Sequence, residues 1–451
     1  MDHDLIIIGG GAGGLAALRA ALWVDADVLM INEGQPGGDC TFTGCVPSKT
    51  LLAAARAGAS FTEAMARVGD TVDRIAGTET ADVLRSHGAA YIDDRARLVT
   101  HDTVAVGEKR ITAPRIVVAT GGRPFIPPIP GLADTRHHTN ETIFGLSQQP
   151  ARLGIIGGGA IGCEMAEAFR GLGAEVHLFE SADRLLPREE PDASAVVTSA
   201  LEARGVAVAA GTRVVSIGET AAGIEVTSES GSVVVDELLV AVGRVPNSEG
   251  LGLEELGATL DARGHVLTDD RLETHVRGVY AVGDLTGKLP FTHAADEMGR
   301  LATGNALKKG IRGRYRTDHT PWVTFTNPEV ARIGVTEAEA ASQGGRVAEL
   351  PMSEMDRAIT DGAEDGFIKL ITGPKKLIRH AGGGRVIGAT IVGDRAGEMI
   401  NEIALAMRTR AFAGRLAQTV HAYPTWGYGI QKAAGQFFGE VEGRTWRAAR
   451  A

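Results

Sequence analysis

Apolar positions along the chain fall into short unbroken runs broken by glycine, rather than alternating or extending into one long span. Leu5 to Ile8 is the first such run, the pattern of a parallel strand buried on both faces. Gly9-Gly10-Gly11-Ala12-Gly13-Gly14 follows, then an Ala/Leu-rich stretch predicting a helix through about Leu22. A second strand is expected over Val28 to Ile31, ending near Glu33. Strand, glycine turn, helix, strand and terminal acid together predict a dinucleotide site. Gly9, Gly11 and Gly14 let the backbone approach a pyrophosphate at the helix N-terminus, where free N–H groups and the helix dipole favour anions. Glu33 is then the carboxylate expected to accept from a ribose.

The same unit recurs. Leu153 to Ile156 reads as a strand, Gly157, Gly159 and Gly162 as the three glycines, and the helix runs to about Leu172. Val176 to Phe179 is the next strand, ending at Glu180. Two such units imply two nucleotide sites. A carboxylate at the end of the second strand accepts from a ribose 2′-hydroxyl and repels a 2′-phosphate, so Glu180 favours a dinucleotide without a 2′-phosphate, although Arg184 stands four residues on. Residues 116–124 resemble residues 238–246: each is an apolar run breaking into glycine and proline, as where a chain crosses between domains. A further strand over Gly278 to Val282 ends in Gly283-Asp284. Beyond about Thr317 the glycine turns cease. An apolar helical stretch around Glu398 to Met407 and a Pro/aromatic segment at His421 to Tyr428 predict a separate α+β domain.

Composition narrows the class. The chain has 451 residues, 44% of them hydrophobic, enough for two or three domains with a large core. Its net charge of −10, with no long basic run, argues against a nucleic-acid partner. The acidic start and the lack of an apolar stretch of membrane-spanning length predict a cytoplasmic protein. Only three cysteines occur, too few for a secreted disulfide scaffold. Cys40 and Cys45, with four residues between them, stand just beyond the first glycine turn, in Gly37-Gly38-Asp39-Cys40-Thr41-Phe42-Thr43-Gly44-Cys45-Val46-Pro47-Ser48-Lys49. Such a pair is catalytic, metal-binding or redox-active. No nearby Cys or His completes a zinc set, so no metal site is expected. Cys163, inside the second glycine-turn helix, reads as a small buried residue.

The cysteine run, the two glycine turns, Ala-Thr-Gly at 119–121, Val-Gly-Asp at 282–284 and Phe-Thr-Asn-Pro-Glu at 325–329 come in order across essentially the whole chain. Together they resemble the class I pyridine nucleotide-disulfide oxidoreductases, the group of lipoamide dehydrogenase, glutathione reductase and mercuric reductase. The resemblance implies an α/β protein with two Rossmann-like domains, for FAD and NAD(P), and a C-terminal α+β dimerisation domain. FAD-binding segments are expected at 1–145 and 246–317, the NAD(P) domain at 146–245 and the dimerisation domain at 318–451. It implies that Gly9, Gly11, Gly14 and Glu33 hold the ADP half of FAD, that Asp284 binds the flavin's sugar-alcohol chain, and that Gly38, Thr120, Gly121 and Gly243 belong to the cofactor sites. Gly157, Gly159, Gly162 and Glu180 would take the nicotinamide nucleotide. Lys49 would sit near the flavin and pair with Glu164. Cys45 would contact the flavin, and Cys40 would face the substrate and perform thiol–disulfide interchange.

One segment departs from the group's pattern. Members carry His-x-His-Pro-Thr followed by a glutamate, donated across the dimer to the partner's thiols. Here His421-Ala422-Tyr423-Pro424-Thr425-Trp426-Gly427-Tyr428 puts Tyr423 in the position of the base histidine and Tyr428 in that of the glutamate. A tyrosine pair does not reproduce a carboxylate-oriented imidazole. His421 is the remaining proton shuttle of the segment. A tyrosine at the base position is similar to mercuric reductase, but the last residues, 444–451, hold no cysteine pair to deliver a metal ion. The expectation is a homodimeric FAD enzyme that oxidises NADH (or NADPH) and reduces a disulfide or other thiol-reactive substrate, acting without the His–Glu pair. The alternatives are an electron transferase to quinones, dyes or metal ions, and a flavin redox sensor that does not turn over.

Overall fold

The computed structural model describes residues 1–308, 310–375 and 377–451. They form two compact units, one of Met1–Pro128, His137–Gln149 and Leu239–Arg316, the other of Ile129–Arg136, Pro150–Leu238 and Thr317–Ala451. Among the described residues no helix is long and apolar enough to cross a membrane.

The first unit is built on a five-stranded parallel sheet, in the order Val279–Ala281, Ile116–Val118, Leu5–Ile8, Val28–Asn32, Ala90–Asp93. The unbroken apolar run of Leu5–Ile8 is explained by its place at the centre, covered on both faces. On one face the helices Ala12–Leu22 and Thr292–Leu307 pack through Leu15, Leu18, Ala294, Met298 and Ala302. They approach so closely that a Cβ on Gly299 would meet the Gly13 carbonyl oxygen at 2.1 Å. On the other face, Leu98 and Val104 of the antiparallel strands Ala96–Thr100 and Thr103–Val106 cover Ile6 and Ile8. The two similar segments of the sequence meet each other: Gly122–Pro124 pairs antiparallel with Arg244–Pro246. Neighbouring strands leave Leu5–Ile8 in opposite directions along the sheet, so the first glycine turn sits at the topological switch point where α/β sheets bind ligands.

In the second unit, Ala207–Ala209, Glu175–Phe179 and Arg152–Ile156 pair in parallel, with the helix Ala160–Gly171 following the second glycine turn. The C-terminal part is a six-stranded sheet, in the order Trp322–Thr324, Glu329–Gly334, Arg385–Gly393, Phe367–Gly373, Arg346–Pro351, Arg447–Ala448, antiparallel throughout. The helices Ala396–Arg408 and Tyr428–Gly435 bury Ile400, Ile403 and Ile430 against Ile333, Leu350 and Ile391 of that sheet. Carboxylates between 164 and 192 tie the two parts together. Glu164 accepts from the Phe325 backbone N–H at 2.9 Å and Glu167 from that of Asn327 at 2.7 Å. The buried Lys369 ammonium lies 2.6 Å from Asp192 and 3.2 Å from Glu337, a pairing that such a buried charge requires.

Candidate active site

The three glycines of each turn do three different jobs, and both turns divide them alike. Gly9 and Gly157 have φ of 104° and 112°, open to glycine at little cost. A Cβ on Gly14 would sit 1.9 Å from the Gly9 carbonyl oxygen, and one on Gly162 would sit 1.8 Å from that of Gly157. These third glycines are therefore required by helix-to-strand packing inside the protein. The middle glycines are different: the nearest atom to a Cβ on Gly11 is 3.8 Å away, and none lies within 4 Å of one on Gly159. That space, at the N-termini of the helices Ala12–Leu22 and Ala160–Gly171, is the cradle a pyrophosphate needs. Both turns fit a dinucleotide.

The acid positions correct the sequence reading. In the second turn Glu180 Oε2 accepts from the Gly158 N–H at 2.7 Å, and Oε1 from the Ala182 N–H at 2.7 Å. The matching contact of the first turn is Gly10 N–H to Asn32 Oδ1, 2.6 Å. Asn32 Nδ2 meanwhile donates to the Glu33 and Gly34 carbonyls. The strand runs one residue further than expected, through Asn32, and Glu33 lies beyond it on the exposed turn. The first site thus has an amide where the second has a carboxylate.

Cys40 lies on the short helix Gly38–Phe42, and Cys45 opens the helix Cys45–Arg56, with Lys49 one turn further on and half-buried. Cys40 is half-buried and Cys45 is exposed. A hydrogen bond with Cys45, then burial, push the Cys40 thiol well above its ordinary range. Thr292, which begins the helix Thr292–Leu307, places its hydroxyl 3.4 Å from Cys45 Sγ. Its hydroxyl also acts on Cys40, in the direction that favours the thiolate. Thr292 is a site residue that sequence reasoning missed; nothing in its local sequence marks it. Cys163 is buried within its helix, its thiol donating to the Gly158 carbonyl at 3.3 Å.

Arg244 is a second missed residue. Its guanidinium pairs with Asp39, next to Cys40, and with Asp284 at 3.0 Å, and donates to the Gly122 carbonyl. Burial pushes the Asp284 carboxyl above its usual range, and Arg244 offsets this only in part. Gly243, with φ of 144°, and Gly121, with φ of 67°, lie at the crossing strands, and a Cβ on either would meet nothing within 4 Å. Thr120 Oγ1 donates to the Asn247 carbonyl at 2.8 Å, and Asn247 Nδ2 returns a bond to the Thr120 carbonyl. On Gly38, a Cβ would lie 2.7 Å from Gly11 Cα, which holds the cysteine segment against the first turn. Arg244, Asp284, Gly121 and the open cradle at Gly11 offer a cation, a half-buried carboxylate and free backbone to one ligand, a donor set that fits FAD.

The C-terminal segment brings Tyr423 and Tyr428 together, rings edge-on at 5.8 Å between centroids. It turns His421 elsewhere: Nε2 lies 2.9 Å from a Glu402 carboxylate oxygen and Nδ1 2.9 Å from the Thr419 carbonyl. Tyr423 donates its phenol proton to Asp356 Oδ2 at 2.7 Å. Accepting that bond, and repelling a phenolate, Asp356 pushes Tyr423 above the usual tyrosine range. Asp356, Tyr423, Tyr428 and Lys432 line a small open cleft.

Known proteins resemble the chain over nearly its whole length. Residues 3–299 match the family described as pyridine nucleotide-disulphide oxidoreductase, and residues 320–434 match the dimerisation domain of the same family. The chain is 31% identical to a mercuric reductase of Bacillus cereus, over 98% of this chain and 72% of the relative. It is 32% identical to a dihydrolipoyl dehydrogenase of Chlamydia muridarum over 94% of each. Among solved structures, the HOCl-induced flavoprotein disulfide reductase RclA from Escherichia coli superposes with a TM-score of 0.87 at 28% identity, over 96% of this chain and 99% of that one. LpdA from Mycobacterium tuberculosis gives a TM-score of 0.87 at 30% identity, over 96% of this chain and 100% of that one.

Proposed function

Given that the chain belongs to the pyridine nucleotide-disulphide oxidoreductases, we propose that it draws electrons from NADH into the Cys40–Cys45 pair and delivers them to a disulfide or another thiol-reactive substrate, without a histidine–glutamate base. The protein is a flavin-dependent oxidoreductase that uses FAD and NAD(P)H. The observation that carries the substrate reading is the hydrogen-bonded cysteine pair, held against the first nucleotide turn through Gly38 and Gly11.

FAD held there would supply acceptance of a hydride from NAD(P)H and transfer of two electrons to the cysteine disulfide. Cys45 would hold the thiolate charge, a role that its helix N-terminus and the neighbouring Thr292 hydroxyl support. Lys49 adds positive charge on the same helix. Cys40, the interchange sulfur, gives its proton to the hydrogen-bonded Cys45 thiolate and attacks one sulfur of the substrate; the substrate S–S bond breaks and one thiolate leaves. Cys45 passes that proton to the departing thiolate and attacks Cys40, the second thiolate leaves, and the enzyme disulfide re-forms. The match to the dimerisation domain supports a homodimer in which residues 421–428 serve the partner's thiols. The reading divides the chain at 145, 245 and 317 into FAD, NAD(P), FAD and dimerisation segments.

NADH is the favoured donor. Glu180 is fixed by two backbone N–H groups at the end of its strand, while Arg184 is turned to the Pro187 carbonyl at 3.1 Å and to Asp183. A second reading, electron transfer to a soft metal ion, draws on Tyr423 and on the likeness to mercuric reductases. Cys40→Ser separates disulfide reduction from electron transfer to quinones, which needs no interchange thiol. Disulfide reduction should fall by about three orders of magnitude, since the serine hydroxyl is no thiolate nucleophile. NADH-dependent quinone reduction should persist. Retained disulfide reduction would overturn the proposal.

A further inference from the structure

Two thiols close to a disulfide only where the backbone brings their Cβ atoms to about 4 Å, so the loop between Cys40 and Cys45 governs how readily the ring forms. The chain breaks there: the helix Gly38–Phe42 ends, the helix Cys45–Arg56 begins, and Thr43 and Gly44 join them. Much of this run is held by near neighbours in sequence. A Cβ on Gly44 would lie 2.7 Å from the Asp39 carbonyl oxygen, and the Gly44 carbonyl accepts from Ser48 Oγ at 2.6 Å. Thr41, which is buried, donates to Glu79 Oε2 at 3.2 Å. The Thr43 carbonyl, at the break itself, accepts from the half-buried Asn140, whose Nδ2 reaches it at 3.2 Å across 97 residues. Asn140 sits in a tight turn, where the Glu141 N–H donates to Thr139 Oγ1 and the Thr139 N–H to Thr142 Oγ1, both at 3.2 Å. Just before it, the His138 carbonyl accepts from the Val240 N–H at 2.8 Å. The amide therefore meets the cysteine loop from an anchored support.

We propose that Asn140 is a positioning residue for the cysteine pair: by fixing the Thr43–Gly44 peptide it keeps the two thiols within reach of each other and favours closure to the disulfide. The inference rests on the reading that Cys40 and Cys45 interconvert between dithiol and disulfide. Its sign follows from which state needs the amide. In the disulfide the S–S bond itself holds the loop closed, and losing the Asn140 bond changes little. In the dithiol no second covalent link spans the loop, so a freed peptide lets the sulfurs separate and the loop regains conformational freedom. The dithiol then gains stability relative to the disulfide, and the pair becomes easier to reduce. In turnover the same bond speeds the second step, in which Cys45 attacks the mixed disulfide on Cys40, because it raises the effective concentration of one sulfur at the other.

The test equilibrates the flavin-loaded enzyme anaerobically with mixtures of reduced and oxidised dithiothreitol, in which two electrons and two protons pass between the two sulfur pairs. Acid quenching, alkylation of the unfolded chain and mass measurement then count the thiols at Cys40 and Cys45. Asn140→Ala should raise the equilibrium constant for reduction about tenfold, equal to about 30 mV. Asn140→Asp keeps the size of the side chain but replaces the donor with an oxygen facing the Thr43 carbonyl, so it should shift the constant at least as far. Glu141→Gln, exposed on the same turn, should leave it within about twofold of wild type. Asn140 variants that keep the wild-type constant overturn the inference. So does a Glu141→Gln shift as large as theirs, since the turn as a whole and not the amide would then set the balance. A wild-type pair that stays dithiol even in excess oxidised glutathione overturns the functional reading and the inference with it, whereas an unshifted constant in the variants overturns the inference alone.

Discussion

The two glycine turns are nearly the same object built twice, and they differ at one side chain. Gly9 and Gly157 share a left-handed φ, and Gly14 and Gly162 each forbid a Cβ against a carbonyl oxygen. The Gly10 and Gly158 N–H groups donate to the strand-end residue at 2.6 and 2.7 Å. That residue is an amide in one turn, Asn32, and a carboxylate in the other, Glu180. On the proposed reading, glycine geometry serves the backbone and a pyrophosphate alike in both turns. Discrimination between nucleotides then falls to the side chain at the end of the strand.

The largest expected effect separates glycines that pack from glycines that make room. Gly162→Ala drives a Cβ into the Gly157 carbonyl, so it should lower Tm by about 5 °C or more and cut kcat/KM for NADH about a hundredfold. Gly159→Ala meets no protein atom within 4 Å; it should keep its Tm to within about 1 °C while raising KM for NADH about tenfold. Equal losses of Tm in the two variants would erase the distinction. Next in size is nucleotide choice: Glu180→Ser should reduce the preference for NADH over NADPH by about tenfold, measured as the ratio of kcat/KM values. An unchanged ratio would mean that Arg184 or another group makes the choice.

The smallest effect probes the amide. Asn32→Asp sets a carboxylate oxygen against the Glu33 and Gly34 carbonyls to which Nδ2 now donates. The temperature at which flavin fluorescence appears on heating should fall by about 2–5 °C, whereas Glu33→Ala should leave it in place. The opposite order would return the ribose-binding role to Glu33.

What could be read from the sequence was what is local. Each glycine turn, the cysteine run and the apolar strands before them are contiguous, and their backbone requirements show in residue type. The one-residue error at Asn32 and Glu33 arose because two adjacent polar residues both suit a strand end, and only the bond from Gly10 decides between them. Arg244 joins Asp39 and Asp284 from 205 and 40 residues away, and Thr292 meets Cys45 across 247. Asp356 and Tyr423 are 67 apart. Such pairs depend on how strands and helices pack, and no spacing rule carries them. The likeness of residues 116–124 to 238–246 was visible, yet their pairing as neighbouring strands was not, because resemblance between two segments says nothing of contact.

The central claim is that the Cys40–Cys45 pair receives the electrons that NADH brings. Anaerobic titration of the flavin-loaded enzyme with NADH, followed by absorbance, tests it most directly. A long-wavelength band from the Cys45 thiolate beside oxidised flavin should reach its maximum at about two electrons per subunit and be missing in Cys45→Ser. Bleaching of the flavin from the first addition, with no such band, would contradict the account.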